Sequence, residues 1–498
     1  MQIYRRYLGM FDSITPEKAG ISSKNVLKFL KVLDKYNFCT HSFIMARGNK
    51  IFAEGYYAPF HKDYKHRMYS ISKSFVSVAI GLAVEDGLLS LDDKFMKFFP
   101  EYMENPPKHL ADMTIREMLT MQTCVVNPVK WFYLWSGDRC EAYFKAQMDR
   151  VAGTTWCYDS PGSFMLGCIV EKLTGKPFLE YLKDMFLRKA GFSEDAYCLK
   201  CPGGHSFADS GVMCTPRDVL VLGRFVMDGG VIDGIRYMNE EYLKEATKKQ
   251  ASNSHGGGFA GGMYGYGYQI WKTPNNGFAF CGMGDQFVLC EPDKDFIFVI
   301  NSDNQGMGDF SQGIIYNELY RTIIDELGES LDEDEVAFGE LKDYISNLKL
   351  FSLKENTYSP VVNHINGKTF VLDKNPMEIE WIRLDFDNDK GVLSYKNAQG
   401  KKSFVFGIGH NEFGKFPQTG YSDMVAGANE PGHMYDCAVS ADWPEESKLR
   451  IKVQIIDKYF GNMSIEFGFK GDEVGICMVK SAEAFLDEYQ GYANGKMI

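Results

Sequence analysis

The feature that most restricts how this 498-residue chain can fold is one apolar helix with a lysine in its first turn. The run ISKSFVSVAIGLAVEDGLL, residues 71–89, is apolar on nearly every side for about four helical turns, and Gly87 near its end is typical of a helix C-terminus. A helix without a polar face is predicted to be buried in the middle of a domain. Lys73 is then a buried amine, which is costly unless it has a partner.

Ser70 lies three residues before Lys73, so the two side chains share one face where this helix begins. A serine hydroxyl attacks well only when a nearby base takes its proton, and a neutral lysine amine can be that base. The alternative role, a helix cap, does not call for a buried lysine one turn later. A second S-x-x-K, at Ser346 and Lys349, lies on a polar helix where both side chains should be solvated. We therefore predict catalysis at the first pair.

Charge and hydropathy exclude two classes of partner. The net charge is -12 and no run of Lys or Arg could neutralise a phosphate backbone, so nucleic acid is not expected. The opening residues contain no apolar stretch of signal-peptide length, and no later window is apolar enough to span a bilayer. These patterns predict a soluble, cytoplasmic protein without a membrane partner.

The twelve cysteines are spread through a large chain and are interpreted as free, mostly buried thiols. One close pair, Cys198 and Cys201, is followed by His205, but no fourth ligand of matching character lies nearby. The sequence therefore predicts neither a metal site nor a cofactor.

The order of elements predicts an α+β fold in two domains. A mostly helical stretch extends to about residue 250 and is followed by strands that are expected to join the early strands in one antiparallel sheet. An acidic connector occupies residues 325–350. We place the first domain at 1–350 and a small all-β domain, a barrel or a sandwich, at 351–498.

Four segments in order carry a resemblance to a known family. They are HRMYSISKSFVSVAIGLAVEDGLLSLDDKFMKFFPEY (66–102), MTIREMLTMQT (113–123), WCYDSPG (156–162) and FMLGCIVEKLTGKPFLEYL (164–182). The chain resembles class C β-lactamases, related esterases and 6-aminohexanoate-dimer hydrolases over roughly residues 15–325. The resemblance implies the β-lactamase-like fold, an antiparallel sheet flanked by helices with a helical subdomain.

The second motif of that family, Tyr-x-Asn or Tyr-x-Ser, corresponds here to Tyr158 and Ser160. The resemblance makes Tyr158 the partner of Ser70 and Lys73, so that hydroxyl, amine and phenol exchange one proton. Which group is the acylation base stays open. A core position is the common alternative for a tyrosine.

The third motif, Lys-Thr-Gly or a variant, is matched best within FAFCGMGDQF. This register places Phe280 where penicillin binders carry a cation, Gly282 where the backbone must approach substrate, and the backbone N–H groups of Met283 and Ser70 as an oxyanion hole. A rival register starts at Lys272 but replaces the glycine with proline. Loss of the cation argues against a substrate with a carboxylate beside the scissile bond.

Two further segments were considered as parts of the site. The aromatic segment that contains Trp131 and Trp135 is either a lid over an apolar ligand or the start of a core-facing helix. The run HGGG, 255–258, is similar to a lipase oxyanion loop, but without a G-x-S-x-G elbow it is interpreted as a flexible loop.

The predicted function is a serine acyl hydrolase that acts on an ester or amide, as a carboxylesterase or a short-amide (aminohexanoate-dimer-type) hydrolase, through an acyl-enzyme on Ser70. The alternatives are a β-lactamase or D-alanyl peptidase, and a non-catalytic binding protein of the same fold. The expected partner is a small-molecule substrate. Assembly as a monomer or a homo-oligomer and the role of the C-terminal domain stay open.

Overall fold

The structure, a computed structural model, describes residues 11–126, 137–255, 257–420, 432–482 and 485–498. The chain divides into two compact units, one ending at Lys349 and the other beginning at Leu350. The first unit mixes helices and sheets, and the second consists mainly of strands, which confirms the predicted fold class. No helix in the described ranges is long and apolar enough to cross a membrane.

The helices of the first unit lie between its early and late strands and among the late ones, and are numbered in chain order. They are α1 (Ser23–Lys35), α2 (Ser72–Glu85), α3 (Lys108–Asp112), α4 (Ile115–Leu119), α5 (Arg139–Tyr143), α6 (Ser160–Thr174), α7 (Phe178–Leu182), α8 (Pro216–Met227), α9 (Glu240–Thr247), α10 (Asp309–Leu319) and α11 (Glu335–Ser346). The strands are β1 (Asp12–Ser13), β2 (Thr40–Arg47), β3 (Lys50–Tyr56), β4 (His66–Arg67), β5 (Tyr197–Cys198), β6 (Val212–Cys214), β7 (Val231–Ile232), β8 (Ile235–Arg236), β9 (Trp271–Lys272), β10 (Phe278–Gly282), β11 (Gln286–Glu291) and β12 (Phe296–Ser302).

The main sheet of the first unit joins early and late strands in the order β1-β3-β2-β12-β11-β10-β9. Only β1 runs parallel to its neighbour in this sheet as described, and the other pairs are antiparallel. One face is covered by α1 and α10, where Phe29, Phe287, Phe298 and Ile315 belong to one buried apolar cluster. At its other end the sheet finishes with β10 and β9, and β10 contacts the short turn that carries Ser70.

Helix α2 is the buried helix that the sequence predicts. Every residue from Ser72 to Ala83 is buried, and the helix packs against α6 and α7. Gly81 has no room for a side chain, because a Cβ there would lie 2.0 Å from the Met238 side chain. Gly87 follows the helix with φ at +70°, the left-handed conformation that glycine favours.

The second unit begins with an irregular stretch and α12 (Val362–Ile365), and then continues as strands. They are β13 (Lys368–Leu372), β14 (Trp381–Asp387), β15 (Lys390–Asn397), β16 (Gly400–Ile408), β17 (Glu412–Thr419), β18 (Met434–Glu445), β19 (Lys448–Ile456), β20 (Phe460–Lys470), β21 (Glu473–Ala482) and β22 (Gly491–Met497). Their order is β16-β15-β14-β13-β22-β21-β20-β19-β18-β17, and a short parallel pairing of β16 with β18 brings the two ends together. Of the two predicted forms, the barrel is therefore the one observed.

Candidate active site

Ser70 lies in a single 3-10 turn, Tyr69–Ile71, that leads directly into α2. The preceding residue, Tyr69, has φ at +46°, which is unfavourable for a bulky side chain. The guanidinium of Arg67 lies over the Tyr69 ring, 4.3 Å from its centroid, and its Nε donates to the carbonyl of Ser210 at 3.1 Å. Buried contacts on both sides therefore hold the strained turn that presents the Ser70 hydroxyl.

Lys73 points back at Ser70 from the first turn of α2. It is 1% exposed, and its Nζ donates to Ser70 Oγ at 2.9 Å and to the backbone carbonyl of Asp209 at 2.7 Å. The segment that supplies this carbonyl is tied to the helix, because the Val212 N–H donates to Ser72 Oγ at 3.0 Å. The buried amine thus has the partners that its burial requires.

Tyr158 reaches the same place from the segment before α6. Lys73 Nζ lies 5.2 Å from the centroid of the Tyr158 ring, and that ring stacks on Trp271 with centroids 5.8 Å apart. Ser160, the other residue of the predicted motif, is the first residue of α6; it is half-buried and lies outside the described lining of the Ser70 cavity.

Asp159, beside Tyr158, fixes the start of α6. Its carboxylate accepts from the Gly162 N–H at 2.9 Å and from Thr123 Oγ1 at 2.7 Å. Burial raises the pKa of this carboxyl, whereas these two hydrogen bonds and the positive charge of Lys73 oppose the rise. The cap therefore anchors the segment that carries the tyrosine.

Gln269 ties together the helices behind the site. Its Oε1 accepts from Ser163 Oγ at 2.6 Å, its Nε2 donates to the carbonyl of Leu119 at 3.0 Å, and its own carbonyl accepts from Ser74 Oγ at 3.0 Å. Since α2, α4 and α6 are joined through the side chain and the backbone carbonyl of this one buried residue, the elements that carry Lys73 and Tyr158 are held together.

Ser70 and Tyr158 line one cavity of about 330 Å³. None of the described residues that line it carries a formal charge, and three of them are aromatic. The lining consists of Ser70, Tyr158, Gly257, Gly258, Phe259, Trp271, Cys281, Gly282, Met283 and Gln312. Such a cavity suits a small, uncharged and partly apolar group.

The end of β10 lies against the turn that carries Ser70. A Cβ on Gly282 would lie 2.4 Å from the Met68 carbonyl oxygen and 3.1 Å from the Tyr69 Cβ, so glycine is required for this approach. Gln286, which is fully buried, donates from Nε2 to the Met283 carbonyl at 2.7 Å and to the Ser302 carbonyl at 2.7 Å. It thereby holds the turn after β10 next to Ser70.

Phe280, predicted to line the substrate pocket, does not do so. It is fully buried and pairs across the strands with Val288, whose side chain packs on Gly223 of α8. Side chains alternate along a strand, so Cys281 faces the cavity and Phe280 faces the other side. The interpretation of Phe280 as a pocket residue is therefore wrong.

Lys272, the start of the rival register, lies away from Ser70. Its Nζ donates to the Asn276 carbonyl at 3.2 Å, and it lines a different cavity, together with Lys244 and Phe278. Burial lowers the pKa of Lys272. Its neighbour Trp271 is the residue of β9 that reaches the Ser70 cavity.

Other parts of the cavity differ from expectation. Trp131 and Trp135, the predicted aromatic pocket residues, lie outside the described residues. The glycine-rich run interpreted as a flexible loop contributes Gly257 and Gly258 to the cavity wall, and a Cβ on Gly258 would clash with the backbone of Gly262. The glycine at position 258 was the signal that could have indicated this close packing.

This fold and site define a serine hydrolase, in which a buried lysine contacts the serine that opens an apolar helix. The chain belongs to the β-lactamase family: the family model described as Beta-lactamase matches residues 29–319, more than half of its length.

Similar proteins agree with this membership. The 6-aminohexanoate-dimer hydrolase of Paenarthrobacter ureafaciens is 27% identical over 281 residues, which are 52% of this chain and 72% of that enzyme. Among solved structures, a putative 6-aminohexanoate-dimer hydrolase from Bacillus anthracis has a TM-score of 0.53 at 18% identity, covering 67% of this chain and 88% of that one. EstCE1, a hydrolase with promiscuous acyltransferase activity, has a TM-score of 0.50 at 14% identity, covering 60% and 98%. These two structures support the fold alone.

Proposed function

We propose that the protein hydrolyses small uncharged esters or short amides through an acyl-enzyme on Ser70. The observation that carries the proposal is the 2.9 Å contact between Lys73 Nζ and Ser70 Oγ, at the wall of a cavity that Tyr158 also lines and whose described lining residues are uncharged. Cys281 is a second nucleophile type in that wall, but burial raises the pKa of its thiol, which keeps it protonated. Ser70 is therefore the proposed nucleophile.

In the proposed acylation step, the Ser70 oxygen bonds to the acyl carbon while its proton passes to the pair formed by Lys73 and Tyr158. The pair then gives a proton to the departing alkoxide or amine as the bond from that group to the acyl carbon breaks. A water molecule attacks the acyl-enzyme, gives its proton to the same pair, and releases the acid as Ser70 recovers its hydrogen. The two steps together consume one water for each bond cleaved.

The backbone N–H groups of Ser70 and Met283 are the proposed oxyanion hole. Ser70 lies at the entry to α2, where the helix dipole favours negative charge, and Met283 lies in the turn held by Gln286. Amides fixed in this way need no reorganisation when the tetrahedral intermediate forms. Gln286 is thus a positioning residue for the proposed site.

The substrate class follows from the cavity lining. A carboxylate next to the scissile bond would gain from a charge-assisted hydrogen bond, and no cation is among the described residues lining this cavity. An uncharged acyl group next to Tyr158, Trp271 and Phe259 gains from apolar and aromatic contact instead. We therefore favour ester and short-amide hydrolysis over β-lactam or D-alanyl peptide hydrolysis.

The test compares wild-type protein with Ser70→Ala and with Ser346→Ala. Ser346 belongs to the second S-x-x-K, but it is exposed and its Oγ donates to the Asp343 carbonyl at 2.8 Å, so it is a matched control. With p-nitrophenyl acetate and butyrate we expect kcat/KM to fall by about 10³-fold or more in Ser70→Ala and to stay unchanged in Ser346→Ala. Equal turnover in wild type and Ser70→Ala would refute the proposal, and nitrocefin hydrolysis faster than ester hydrolysis would refute the substrate class.

A further inference from the structure

Two cysteines and a histidine meet in the first unit, outside the described lining of the Ser70 cavity. Cys140 of α5 and Cys168 of α6 have their Sγ atoms 3.6 Å apart, and His205 places a ring nitrogen within 4.8 Å of both. The cysteines are 1% and 2% exposed, whereas the His205 side chain is 34% exposed. Three soft or borderline donors from distant stretches of chain therefore converge, with one side open to solvent.

The spacing of these atoms fits ligands of one metal ion. In a tetrahedral site with Zn–S bonds of about 2.3 Å, two sulfurs lie about 3.8 Å apart, close to the separation of Cys140 and Cys168. A disulfide would need about 2.05 Å, and both cysteines are free thiols in the structure. The pair is therefore spaced as two ligands and not as a covalent bridge.

The histidine is oriented as metal-binding histidines commonly are. Its Nδ1 lies 3.0 Å from Glu171 Oε2, so the carboxylate fixes the ring and leaves Nε2 to take a metal. Glu171 Oε1 also accepts from the Ser206 N–H at 3.3 Å, which holds the carboxylate in place. A carboxylate behind a histidine is the outer-shell arrangement that raises the basicity of the imidazole.

We propose that the protein binds one Zn²⁺ ion through Cys140, Cys168 and His205, with water as the fourth ligand. Binding releases the two thiol protons to solvent, because the thiolates are the ligands. This differs from the sequence prediction of no metal site, which rested on Cys198, Cys201 and His205 without a fourth ligand nearby. Cys201 Sγ donates to the backbone carbonyl of His205 at 3.4 Å and so shapes the loop.

The ion would fix elements that also support the nucleophile turn. Arg139, next to Cys140, lies over the Phe207 ring at 4.9 Å, and Arg67 lies over the same ring at 5.5 Å and over Tyr69 at 4.3 Å. A ligand that binds only the folded protein raises its stability. The role we propose is therefore structural: Zn²⁺ joins α5, α6 and the loop that leads to Asp209.

The experiment is Co²⁺ and Zn²⁺ binding by the full chain after treatment with a chelator. We expect one Co²⁺ per chain with thiolate charge-transfer absorption and strong tetrahedral d–d bands, and a higher unfolding temperature with Zn²⁺. Cys168→Ser and His205→Ala should lose the bands, Glu171→Gln should weaken binding by about 10- to 100-fold, and Cys198→Ser, the matched control, should keep them. None of these readouts depends on activity at Ser70.

Three results would overturn the proposal. The first is wild-type protein that takes up no stoichiometric Co²⁺ with thiolate absorption. The second is an absorption spectrum in Cys168→Ser or His205→Ala equal to that of wild type, both variants being checked for folding by circular dichroism. The third is a native Cys140–Cys168 disulfide, seen by peptide mass mapping after alkylation under non-reducing conditions.

Discussion

At the scale of single residues, two buried lysines of the first unit differ in the groups they contact. Lys73 donates to a neutral hydroxyl on Ser70 and to the carbonyl of Asp209. Lys183 is equally buried but donates to the Glu180 carboxylate and to the carbonyls of Glu194 and Ala196. The second lysine has the partners of a structural ion pair, whereas the first contacts the proposed nucleophile.

Replacing each lysine by methionine should therefore have opposite effects. Lys73→Met keeps the volume and removes the buried amine, so we expect kcat/KM to fall by about 10²- to 10⁴-fold in a protein that still folds. Lys183→Met leaves the carbonyls of Glu194 and Ala196 without their buried donor, so we expect lower stability with nearly unchanged kcat/KM. Ester hydrolysis and thermal unfolding of both variants provide the check. A Lys73→Met protein that is fully active would contradict the proposed proton transfer.

The pairing of Ser70 with Lys73 was predictable because residues three apart on a helix meet whatever the rest of the chain does. The carbonyl of Asp209 was not, since every residue has a backbone carbonyl and only the tertiary fold selects one. Tyr158 was reached through the resemblance, and its packing on Trp271 depends on a strand more than one hundred residues later. Contacts between residues close in sequence can be predicted from their spacing. Contacts between distant residues could be predicted here only through the resemblance to a known family.

At the scale of elements, the site depends on how closely the end of β10 approaches the turn before α2. Side chains alternate along a strand, so Cys281 faces the cavity whereas Phe280 does not. The sequence register alone does not indicate which face of the sheet borders the site. Gly282, the last residue of β10, allows this close approach because it has no side chain. In the third motif, Gly282 is the residue that is required for steric reasons.

Gly282→Ala should separate the strand from the turn. The new Cβ would lie 2.4 Å from the Met68 carbonyl oxygen. A backbone atom cannot move aside as the end of a flexible side chain can. We expect a loss of about 1–3 kcal/mol in the free energy of unfolding and at least a tenfold fall in kcat. Gly339→Ala in α11 is the control, because a Cβ there meets nothing within 4 Å. Urea unfolding and ester kinetics measure both, and wild-type behaviour of Gly282→Ala would show that the approach is unimportant.

At the scale of the whole molecule, the first unit contains a buried histidine pair that links the main sheet to the strand before Ser70. His41 Nδ1 and His66 Nε2 lie 2.8 Å apart, and His66 Nδ1 donates to the Arg67 carbonyl at 2.8 Å. Burial lowers the pKa of His66 to about 3 and holds that of His41 well below its usual range. The His66 ring is therefore neutral in the folded protein near pH 5, and burial opposes protonation of His41 as well.

The free energy of unfolding should therefore fall as the pH drops from about 6.5 towards 3. In that window the unfolded chain binds a proton at His66 and the folded protein does not, so His66 contributes a slope of up to about 1.4 kcal/mol per pH unit. The lowered pKa of His41 acts in the same direction. Urea unfolding from pH 7.5 to 4.5 should show a shallower slope in His66→Gln. The exposed His364→Gln is the control and should keep the wild-type slope; equal slopes in all three proteins would contradict this account.

The overall division into a mixed unit and an all-β unit was predictable because strand alternation and turn residues change along the chain. Closure of the barrel was not, since it depends on a parallel pairing of β16 with β18 over a few residues, Gly407 with Ser440 and Ile408 with Ala441. The cluster of Cys140, Cys168 and His205 was missed for the same reason. Contacts between distant stretches have no short-range signature.

The most direct test of the central claim is covalent labelling with a fluorophosphonate probe, followed by peptide mass mapping. We expect one label per chain on the peptide that contains Ser70, and no label in Ser70→Ala under the same conditions. The variants Ser346→Ala and Cys281→Ala should label as wild type does. A label on another residue, or equal labelling of wild type and Ser70→Ala, would contradict the assignment of Ser70 as the nucleophile.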